Sequence, residues 1–415
     1  MIVNPGSSRL HASTLWIDDP GPLADFLCAE DACFLRGSEG FVALGEVARY
    51  EGNSMLEADT WWRQTVAQIE NESEMPGSFG TGPLAYGTFC FDPQHTEYSS
   101  VLIVPEIIVG RRNGNSWLTQ IGYDRVSPQL PPRHDRPRAP VDLQFGPGNI
   151  SESEWMSVVR GMTARIRHGE ADKVVLARDL EARADQPIDP RWPLRQLLAS
   201  YGACWNYLID GLVGSTPEVL VRREYGLTYS RVLAGTVPRV EGVDDAQRAA
   251  QLISSVKDLD EHYFAVNSVV ESLRPYLRAM HVPEAPFVLS LPNVLHLATD
   301  ICGVSEPGLS TLALAAAAHP SAAVCGSPTE VARQLIADHE QLDRGRFAGP
   351  VGWMDAQGDG EWAIALRCAQ LNGSDPSRMR LYAGGGIVAA SDAHAELVET
   401  DAKFAPMKAA LRGKS

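Results

Sequence analysis

The stretch AGPVGWMDAQGDGEWAIALRCAQL (residues 348–371) is decisive for the fold class, because it holds two strand patterns joined by a short turn. Residues 348–354 and 362–371 are rich in small, branched and aromatic side chains, and DAQGDG (residues 355–360) between them favours a turn. Two strands with so short a connection run antiparallel. The stretch therefore predicts a sheet built from hairpins rather than a doubly wound parallel sheet.

Strand and helix patterns alternate around this hairpin. Residues 173–178 are apolar on both faces and predict a buried strand, and helices are predicted over residues 153–168 and 244–277. The second helix carries a stripe of apolar side chains three and four residues apart, which predicts one long helix packed on the core. Further strand patterns lie at residues 219–223, 227–233 and 380–388. Strands mixed with helices and joined by hairpins favour an α+β fold.

The N-terminal part of the sequence has a different pattern of apolar and turn residues. Up to about residue 122, short apolar runs alternate with turn residues, which predicts an antiparallel β portion with one helix near residues 61–69. Residues 127–147 are rich in Pro and Arg and predict a linker or surface excursion. We therefore expect a boundary near residue 150, with residues 1–150 as an N-terminal β-rich portion of the same fold and residues 151–415 as a second portion.

Charge and cysteine content narrow the function classes. The formal net charge of −16 repels nucleic acid and anionic membrane surfaces, so neither is an expected partner. An anionic small ligand would need a local cluster of cations or a metal. The seven cysteines are scattered without CxxC spacing and predict reduced thiols. The N-terminus shows no leader pattern and the Ala-rich run at residues 312–318 is too short to span a bilayer, so we expect a cytoplasmic protein.

Two acidic pairs stand out, Asp258 with Glu261 and Glu396 with Glu399. On a helix, residues three apart project from one face, so two such helices together would offer four carboxylates to a hard cation such as Mg²⁺. The commoner interpretation of an acidic pair is a solvent-exposed helix face, and spacing alone leaves both open. Lys403 lies four residues after Glu399, either as an ordinary helix ion pair or as a cation beside a metal.

Lys173, Glu218, Arg367 and the glycines at residues 384–386 are further candidates that also have ordinary structural interpretations. Lys173 begins the apolar strand; an apolar environment would favour an uncharged amine that acts as a general base, whereas a strand-end lysine normally reaches solvent. Glu218 follows a Ser-Thr-Pro turn and alone predicts an edge glutamate. Arg367 shares a strand face with alanines, which leaves room either for a bound anion or for a partner carboxylate. The glycines at residues 384–386 either let backbone N–H groups approach a ligand or form a turn.

Taken together, these segments resemble the chorismate-utilising enzymes, the family of anthranilate synthase large subunits, aminodeoxychorismate synthases, isochorismate synthases and salicylate synthases. The resemblance covers about residues 151–411. It rests on DKVVLAR (172–178), GSTPEVLV (214–221), LAGTVPR (233–239), KDLDEH (257–262), LPNVLHLATDICG (291–303), HPSAAVCGSP (319–328), GRFAGPVGW (345–353), EWAIALR (361–367), YAGGGIV (382–388) and ELVETDAKF (396–404). It implies large antiparallel β-sheets in a layered core surrounded by helices, as in anthranilate synthase large subunits.

The resemblance also implies roles for the residues that match. Lys173 matches the general base that activates water, and Glu218 matches the general acid that protonates the departing C4 hydroxyl of chorismate. The implied metal is Mg²⁺, with Glu261 and Glu399 as ligands and Asp258 and Glu396 as supporting acidic positions. The positions that match the substrate site are Gly235, Thr236, His296, Ala323, Arg367, Gly384, Gly385, Gly386 and Lys403.

Within the family, the chain most resembles the isochorismate synthases, which are isomerases. Lysine at position 173 favours water over ammonia as nucleophile, Ala234 stands where aminodeoxychorismate synthases carry a nucleophilic lysine, and Ala323 stands where salicylate synthases tend to carry threonine. We expect a monomer without a glutaminase subunit. A salicylate synthase and a non-catalytic chorismate-binding homologue are the alternatives, and the use of the product stays open between siderophore, menaquinone and other metabolism.

Overall fold

A computed structural model describes residues 9–239, 242–292 and 294–413 of the 415-residue chain. The N-terminal residues Met1 to Gly6, on which the leader prediction rests, and Asn293 of the 291–303 motif lie outside these ranges. Within them, no helix is both long and apolar enough to cross a membrane.

The N-terminal part is a run of strands around one α-helix, α1 (Met55–Val66), and a short 3-10 helix (Leu23–Phe26). Helix α1 begins where the Ser54 side chain accepts a hydrogen bond from the Glu57 backbone N–H, which satisfies one of the free donors of the first turn. The strands are β1 (Leu10–Ile17), β2 (Ala32–Arg36), β3 (Glu39–Leu44), β4 (Ala48–Gly52), β5 (Ile69–Ser73), β6 (Leu84–Thr88), β7 (Ser100–Val104), β8 (Ile107–Arg112) and β9 (Asn115–Gly122).

The remainder alternates strands and helices. Its strands are β10 (Gln144–Pro147), β11 (Lys173–Arg183), β12 (Trp205–Ile209), β13 (Leu212–Thr216), β14 (Val219–Glu224), β15 (Leu227–Pro238), β16 (Leu277–His281), β17 (Phe287–Ser290), β18 (Val294–Ser305), β19 (Gly326–Ser327), β20 (Pro350–Asp355), β21 (Gly360–Ile364), β22 (Cys368–Leu371) and β23 (Arg378–Ile387). Its helices are α2 (Glu152–Arg167), α3 (Arg191–Ser200), α4 (Asp245–Ser254), α5 (Val256–Leu273), α6 (Thr311–Ala318), α7 (Thr329–His339) and α8 (Ala393–Arg412), with a 3-10 turn at Arg274–Tyr276.

These strands form two large sheets. The first has the order β10-β11-β23-β22-β13-β12-β2-β3-β8-β9-β1-β5, with β19 also paired to β11; the second has the order β16-β18-β15-β14-β21-β20-β6-β7-β4, with β17 also paired to β18. Neighbouring strands pair antiparallel except β1 with β5, which pair parallel and so depart from the antiparallel expectation for the N-terminal part. Aromatic side chains of the two sheets meet in the core, as where Phe41 contacts Trp353 edge-to-face at 5.7 Å. The α+β prediction is confirmed.

The hairpin predicted within residues 348–371 is present, but its second half differs from the prediction. Strands β20 and β21 pair antiparallel across the DAQGDG turn. The predicted single strand over residues 362–371 is instead two strands, since β21 ends at Ile364 in the second sheet and β22 begins at Cys368 in the first. The chain crosses between the sheets at residues 365–367, and Arg367 adopts a left-handed conformation there, with φ of 47°.

The predicted long helix over residues 244–277 is also two helices, α4 and α5. Ser255 is both the C-cap of α4 and the N-cap of α5, where its side chain accepts a hydrogen bond from the Asp258 N–H. Ser255 has an extended backbone, which interrupts the helix, so the continuous stripe does not hold. Val256 and Tyr263, which the stripe placed in the core, are 72% and 63% exposed, and Ala265 and Val269 are buried instead.

The first 150 residues supply one end of each sheet, namely β2, β3, β8, β9, β1 and β5 in the first and β6, β7 and β4 in the second, and they also supply β10 at the opposite edge of the first. The two parts of the chain join where β2 pairs with β12 in the first sheet and where β6 pairs with β20 in the second. The predicted linker is irregular from residue 123 to residue 143, and β10 then adds to the edge of β11. A boundary near residue 150 stays a prediction.

Candidate active site

The sequence-predicted residues gather around one cavity of ≈ 110 Å³, which lies where the two sheets meet helices α5 and α8. Strand β15 and strand β18 contribute from the second sheet, and β23 contributes from the first. The predicted residues that line it are Glu218, Gly235, Thr236, Glu261, His296, Ala323, Arg367, Gly384, Gly385, Gly386, Glu399 and Lys403. Lys173, Asp258 and Glu396 lie directly behind this lining, next to Glu261, Gly235 and Gly385 respectively.

Lys173 is the first residue of β11 and is fully buried. Its Nζ lies 3.0 Å from Glu261 Oε1, which forms an ion pair, yet the angles do not suit a hydrogen bond and the amine has no hydrogen-bond acceptor among the described residues. A buried, incompletely satisfied amine is unfavourable unless it has a ligand to contact. The alternative of a strand-end lysine that reaches solvent is therefore wrong.

Glu218 occupies the short connection between β13 and β14 and is only 4% exposed. Burial raises the pKa of its carboxyl group to about 8, although the positive charges of Lys173, Arg367 and Lys403 act in the opposite direction. Because removal from water penalises the ionised form, the group is a protonated acid at neutral pH. The interpretation as an exposed edge glutamate is wrong.

Arg367, His296 and Thr236 form a hydrogen-bonded chain along one wall. Arg367 Nη2 donates to His296 Nε2 at 2.8 Å, and His296 Nδ1 lies 2.8 Å from Thr236 Oγ1. Burial, together with the Arg367 charge, lowers the pKa of His296 well below its ordinary value. The ring is therefore neutral with its proton on Nδ1, since Nε2 must accept from the guanidinium.

Arg367 keeps one end of its guanidinium free. Its Nη1 is buried without a hydrogen-bond partner, and within the described ranges Arg367 forms no ion pair. Burial lowers the pKa of the guanidinium, which reflects how incompletely the charge is compensated. The sequence left a bound anion and a partner carboxylate as alternatives for Arg367. The structure provides no partner carboxylate among the described residues, so the free donor favours an anionic ligand.

The two acidic pairs come together at the N-terminal ends of α5 and α8, each facing a lysine. Lys173 pairs with Glu261, Lys403 Nζ lies 2.7 Å from Glu399 Oε1, and Lys257 Nζ lies 3.6 Å from Glu396 Oε1. Glu396 is 3% exposed, so a solvent-exposed helix face does not describe it. The sequence analysis missed Lys257, although it directly precedes Asp258 and lies one helical turn before Glu261.

The carboxylates of this cluster lie close enough to repel one another. Burial and then the nearby Glu261 raise the pKa of Asp258, and burial and then Glu399 raise the pKa of Glu396. Burial lowers the pKa of Lys403, but the surrounding carboxylates outweigh it and hold the pKa above its ordinary value. A further cation would relieve the repulsion among the acids.

Four carboxylates are the donor type that Mg²⁺ prefers, so the chemistry of the cluster fits that ion. In the lysine-paired arrangement, no three carboxylate, imidazole or thiol groups of the described residues are close enough to hold a metal together. Metal binding would therefore require Glu261 and Glu399 to exchange their lysine partners for the ion.

The triple glycine of β23 makes room for this cluster. A Cβ on Gly386 would lie 2.7 Å from both Glu261 Oε1 and Lys173 Cε, and one on Gly385 would lie 3.2 Å from Glu396 Oε2. The glycines belong to a regular strand paired with β11, so the turn interpretation is wrong. The space that a side chain on Gly386 would fill is occupied by the Lys173–Glu261 ion pair.

The cavity also has aromatic and basic lining residues that the sequence analysis did not single out. Phe347 stacks on Tyr382 with ring centroids 5.2 Å apart, and the buried Arg344 also lines the cavity. The available signals were their positions next to recognised motifs, since Phe347 lies in GRFAGPVGW and Tyr382 precedes the glycines.

Similarity to known proteins shows the family to which the chain belongs. A family model described as "Chorismate binding enzyme" matches residues 29–412. The chain belongs to the chorismate-binding enzyme family. The match extends well into the first 150 residues, which resemble the family only loosely by their motifs.

Two individual proteins that are similar to this chain support the same family assignment. The chain is 36% identical over 359 residues to the isochorismate synthase DhbC of Bacillus subtilis, which covers 83% of this chain and 84% of that protein. It matches the solved structure of MenF, the menaquinone-specific isochorismate synthase from Escherichia coli, with a TM-score of 0.80 and 25% identity over 98% of this chain and 95% of the other.

A third protein supports the fold alone. The anthranilate synthase component I of Streptococcus pneumoniae matches with a TM-score of 0.69 and 22% identity, covering 98% of this chain and 94% of that one. The expected anthranilate synthase-like architecture is confirmed. The roles of individual site residues stay predictions.

Proposed function

We propose that the chain converts chorismate into isochorismate, with Lys173 as general base and Glu218 as general acid. The observation that supports this proposal is that both groups are buried in one cavity region, and that burial alone keeps Glu218 protonated. A reaction that removes one proton and supplies another needs one group that accepts a proton and a second group that donates one.

The proposed step exchanges one water for another. Lys173 removes a proton from a water molecule while its oxygen bonds to a ring carbon, the double bonds shift, and the C4–oxygen bond breaks. Glu218 donates its proton to the departing hydroxyl, which leaves as water. Lys173 ends as an ammonium and Glu218 as a carboxylate, and return of the proton from the first to the second through solvent resets the enzyme.

Binding of the dianionic substrate would use the cations that the structure leaves available. Arg367 offers its unpartnered Nη1 to a carboxylate, and the neutral His296 holds the guanidinium in place from the other side. Mg²⁺, held by Glu261 and Glu399 with Asp258 and Glu396 in support, would orient the ring carboxylate and withdraw electron density as a Lewis acid. These positive groups offset the −16 net charge of the chain.

The test is to incubate the purified protein with chorismate and Mg²⁺ and to separate the products by chromatography. Isochorismate as the main product supports the proposal. Salicylate with pyruvate identifies a salicylate synthase, and unchanged chorismate with measurable binding identifies a non-catalytic homologue. Either of the last two outcomes contradicts the proposal.

Substitution of the base gives a sharper test. Lys173→Ala is expected to lower kcat by about 10³-fold or more, since general base catalysis and the ordering of the water are lost together. The control is Lys408→Ala, which also removes a lysine. Lys408 is on the same helix as Lys403, but it contacts the Phe145 ring instead of the cavity. Isochorismate formation at the wild-type rate by the folded Lys173→Ala variant would remove Lys173 from the mechanism.

A further inference from the structure

We infer that the buried pair of Glu340 and Arg344 is a positioning device for Lys173, and that it sets the placement of the proposed base through the backbone of β11. This inference rests on the proposed function of Lys173. Neither residue was predicted from the sequence as part of the site. Glu340 is the C-cap of α7 and Arg344 follows it in the next turn; they are 1% and 4% exposed.

The pair replaces a missing strand at one edge of β11. That edge pairs with β19 at residues 173–174 and with β10 at residues 180–183, which leaves the segment between them without a neighbouring strand over most of its length. Arg344 Nη2 donates to the Val175 carbonyl at 2.7 Å, and Glu340 Oε2 accepts from the Ala177 N–H at 2.7 Å. Trp155 Nε1 donates to the Ala177 carbonyl at 3.0 Å. Buried backbone groups must be satisfied, so these side chains do the work of a partner strand.

The pair also ties β11 to the wall of the cavity. Arg344 Nη1 donates to the Val324 carbonyl at 3.0 Å, and Val324 follows the predicted substrate-site residue Ala323. The two side chains hold each other through two hydrogen bonds of 2.6 Å, from Arg344 Nε and Nη2 to the two carboxylate oxygens of Glu340. One planar guanidinium thus fixes the strand that carries Lys173 and the loop that carries Ala323 relative to each other.

The position of the pair explains why its effect should fall on Lys173. Val175 lies two residues after Lys173, on the same face of β11, and a strand is stiff over so short a distance. Among the described residues the Lys173 amine has an ion pair with Glu261 at 3.0 Å but no hydrogen-bond acceptor, so its location depends on that pair and on the backbone that carries it. Displacement of a catalytic group by about 1 Å costs about a hundredfold in rate.

The experiment compares Arg344→Met with Arg223→Met in the full chain. Arg223 forms an ion pair with the buried Asp359 and does not line the cavity, so it matches Arg344 in charge and in having a buried carboxylate partner, but it is partly buried and lies elsewhere. Arg344→Met is expected to lower kcat about a hundredfold with KM for chorismate changed by less than about threefold, and to raise the solvent deuterium isotope effect on kcat, because proton transfer by a displaced base becomes the slow step. Arg223→Met should lower the melting temperature and leave kcat and the isotope effect unchanged.

The readouts separate positioning from mere stability. A wild-type kcat in Arg344→Met, or a reduced kcat with an unchanged isotope effect, overturns the inference, since a smaller folded fraction lowers the rate without altering the proton-transfer step. If Arg344→Met does not fold, Arg344→Lys decides in the same way: a lysine keeps the ion pair with Glu340 but has no planar fork, so kcat should still fall. A wild-type protein that makes no isochorismate would instead remove the proposed function itself.

Discussion

Glu218 and Lys173 are both buried, but their surroundings differ. Burial of Glu218 favours its neutral form and raises the pKa of its carboxyl group to about 8, whereas the Lys173 amine lies 3.0 Å from the Glu261 carboxylate. Binding of a metal to Glu261 would remove that contact. The contacts of the proposed base are therefore tied to the occupant of the neighbouring carboxylate.

The raised pKa of Glu218 predicts the alkaline limb of the pH profile. A general acid must be protonated in the free enzyme, so kcat/KM for chorismate should fall about tenfold for each pH unit above about 8. Steady-state rates from pH 6 to pH 10 measure this. A kcat/KM that falls only below pH 7 would exclude Glu218 as the acid.

The same shift predicts an effect on stability. The folded pKa lies above the ordinary value of 4.5, so the unfolded chain loses this proton at lower pH than the folded one, and stability declines as pH rises from about 4.5 through about 8. Glu218→Gln, which cannot ionise, should therefore have a melting temperature several degrees above that of the wild type at pH 9 and a smaller advantage at pH 5. A melting temperature below that of the wild type at pH 9 would contradict this.

For individual residues, the types of side chain in the site could be predicted from the sequence, but their burial and their contacts could not. Lys173 and Glu218 were named from the sequence, but each had an ordinary interpretation that only burial could exclude. Lys257 escaped notice because its role depends on Glu396, which is distant in sequence and lies on another helix. The protonation of Glu218 likewise depends on the depth of the cavity, which no local pattern encodes.

At the scale of elements, the glycines of β23 are the clearest example of space reserved for a site. Gly386→Ala should displace the Lys173–Glu261 pair, because the new Cβ would lie 2.7 Å from atoms of both side chains. We expect kcat to fall at least about tenfold, since a shift of well under 1 Å in both groups suffices. The control is Gly373→Ala, whose Cβ would meet no atom within 4 Å. Equal kcat in the two variants would show that the close contact has no catalytic consequence.

Elements with local signals were predictable, and those that depend on distant partners were not. Helix α2 was predicted about one residue late, because the capping box of Ser151 and Glu154 was overlooked in favour of Ser153. The β20–β21 hairpin followed from its turn residues. The crossing at residues 365–367 was missed because strand patterns say nothing about which sheet a strand joins. The break at Ser255 was missed because an apolar stripe continued through it.

For the whole molecule, the division of each sheet between the two parts of the chain predicts that neither part folds alone. A fragment of residues 151–415 would expose the edges of β12 and β20 that normally pair with β2 and β6. We expect it to aggregate or to lack a cooperative thermal transition, as measured by circular dichroism. A soluble fragment with a sharp transition would establish residue 150 as a true domain boundary.

Metal removal is a second prediction at this scale. Chelation with EDTA should abolish turnover and added Mg²⁺ should restore it, because the substrate is a dianion, the chain carries a net charge of −16 and the carboxylate cluster repels any further anion. Ca²⁺ is the control ion, because its bonds to oxygen are longer and its coordination geometry is looser than those of Mg²⁺. Full activity after exhaustive chelation would show that the arginine and lysine side chains of the cavity suffice without a metal.

All described residues that line the cavity fall between Val175 and Lys403, while the described residues before 150 contribute strands and no lining side chain. Sequence drift in the earlier stretch therefore acts on the cavity only through the sheets that both stretches share. Exchange of that stretch with a relative would show how far the lifetime of a molecule at a given temperature can be changed separately from what it manufactures.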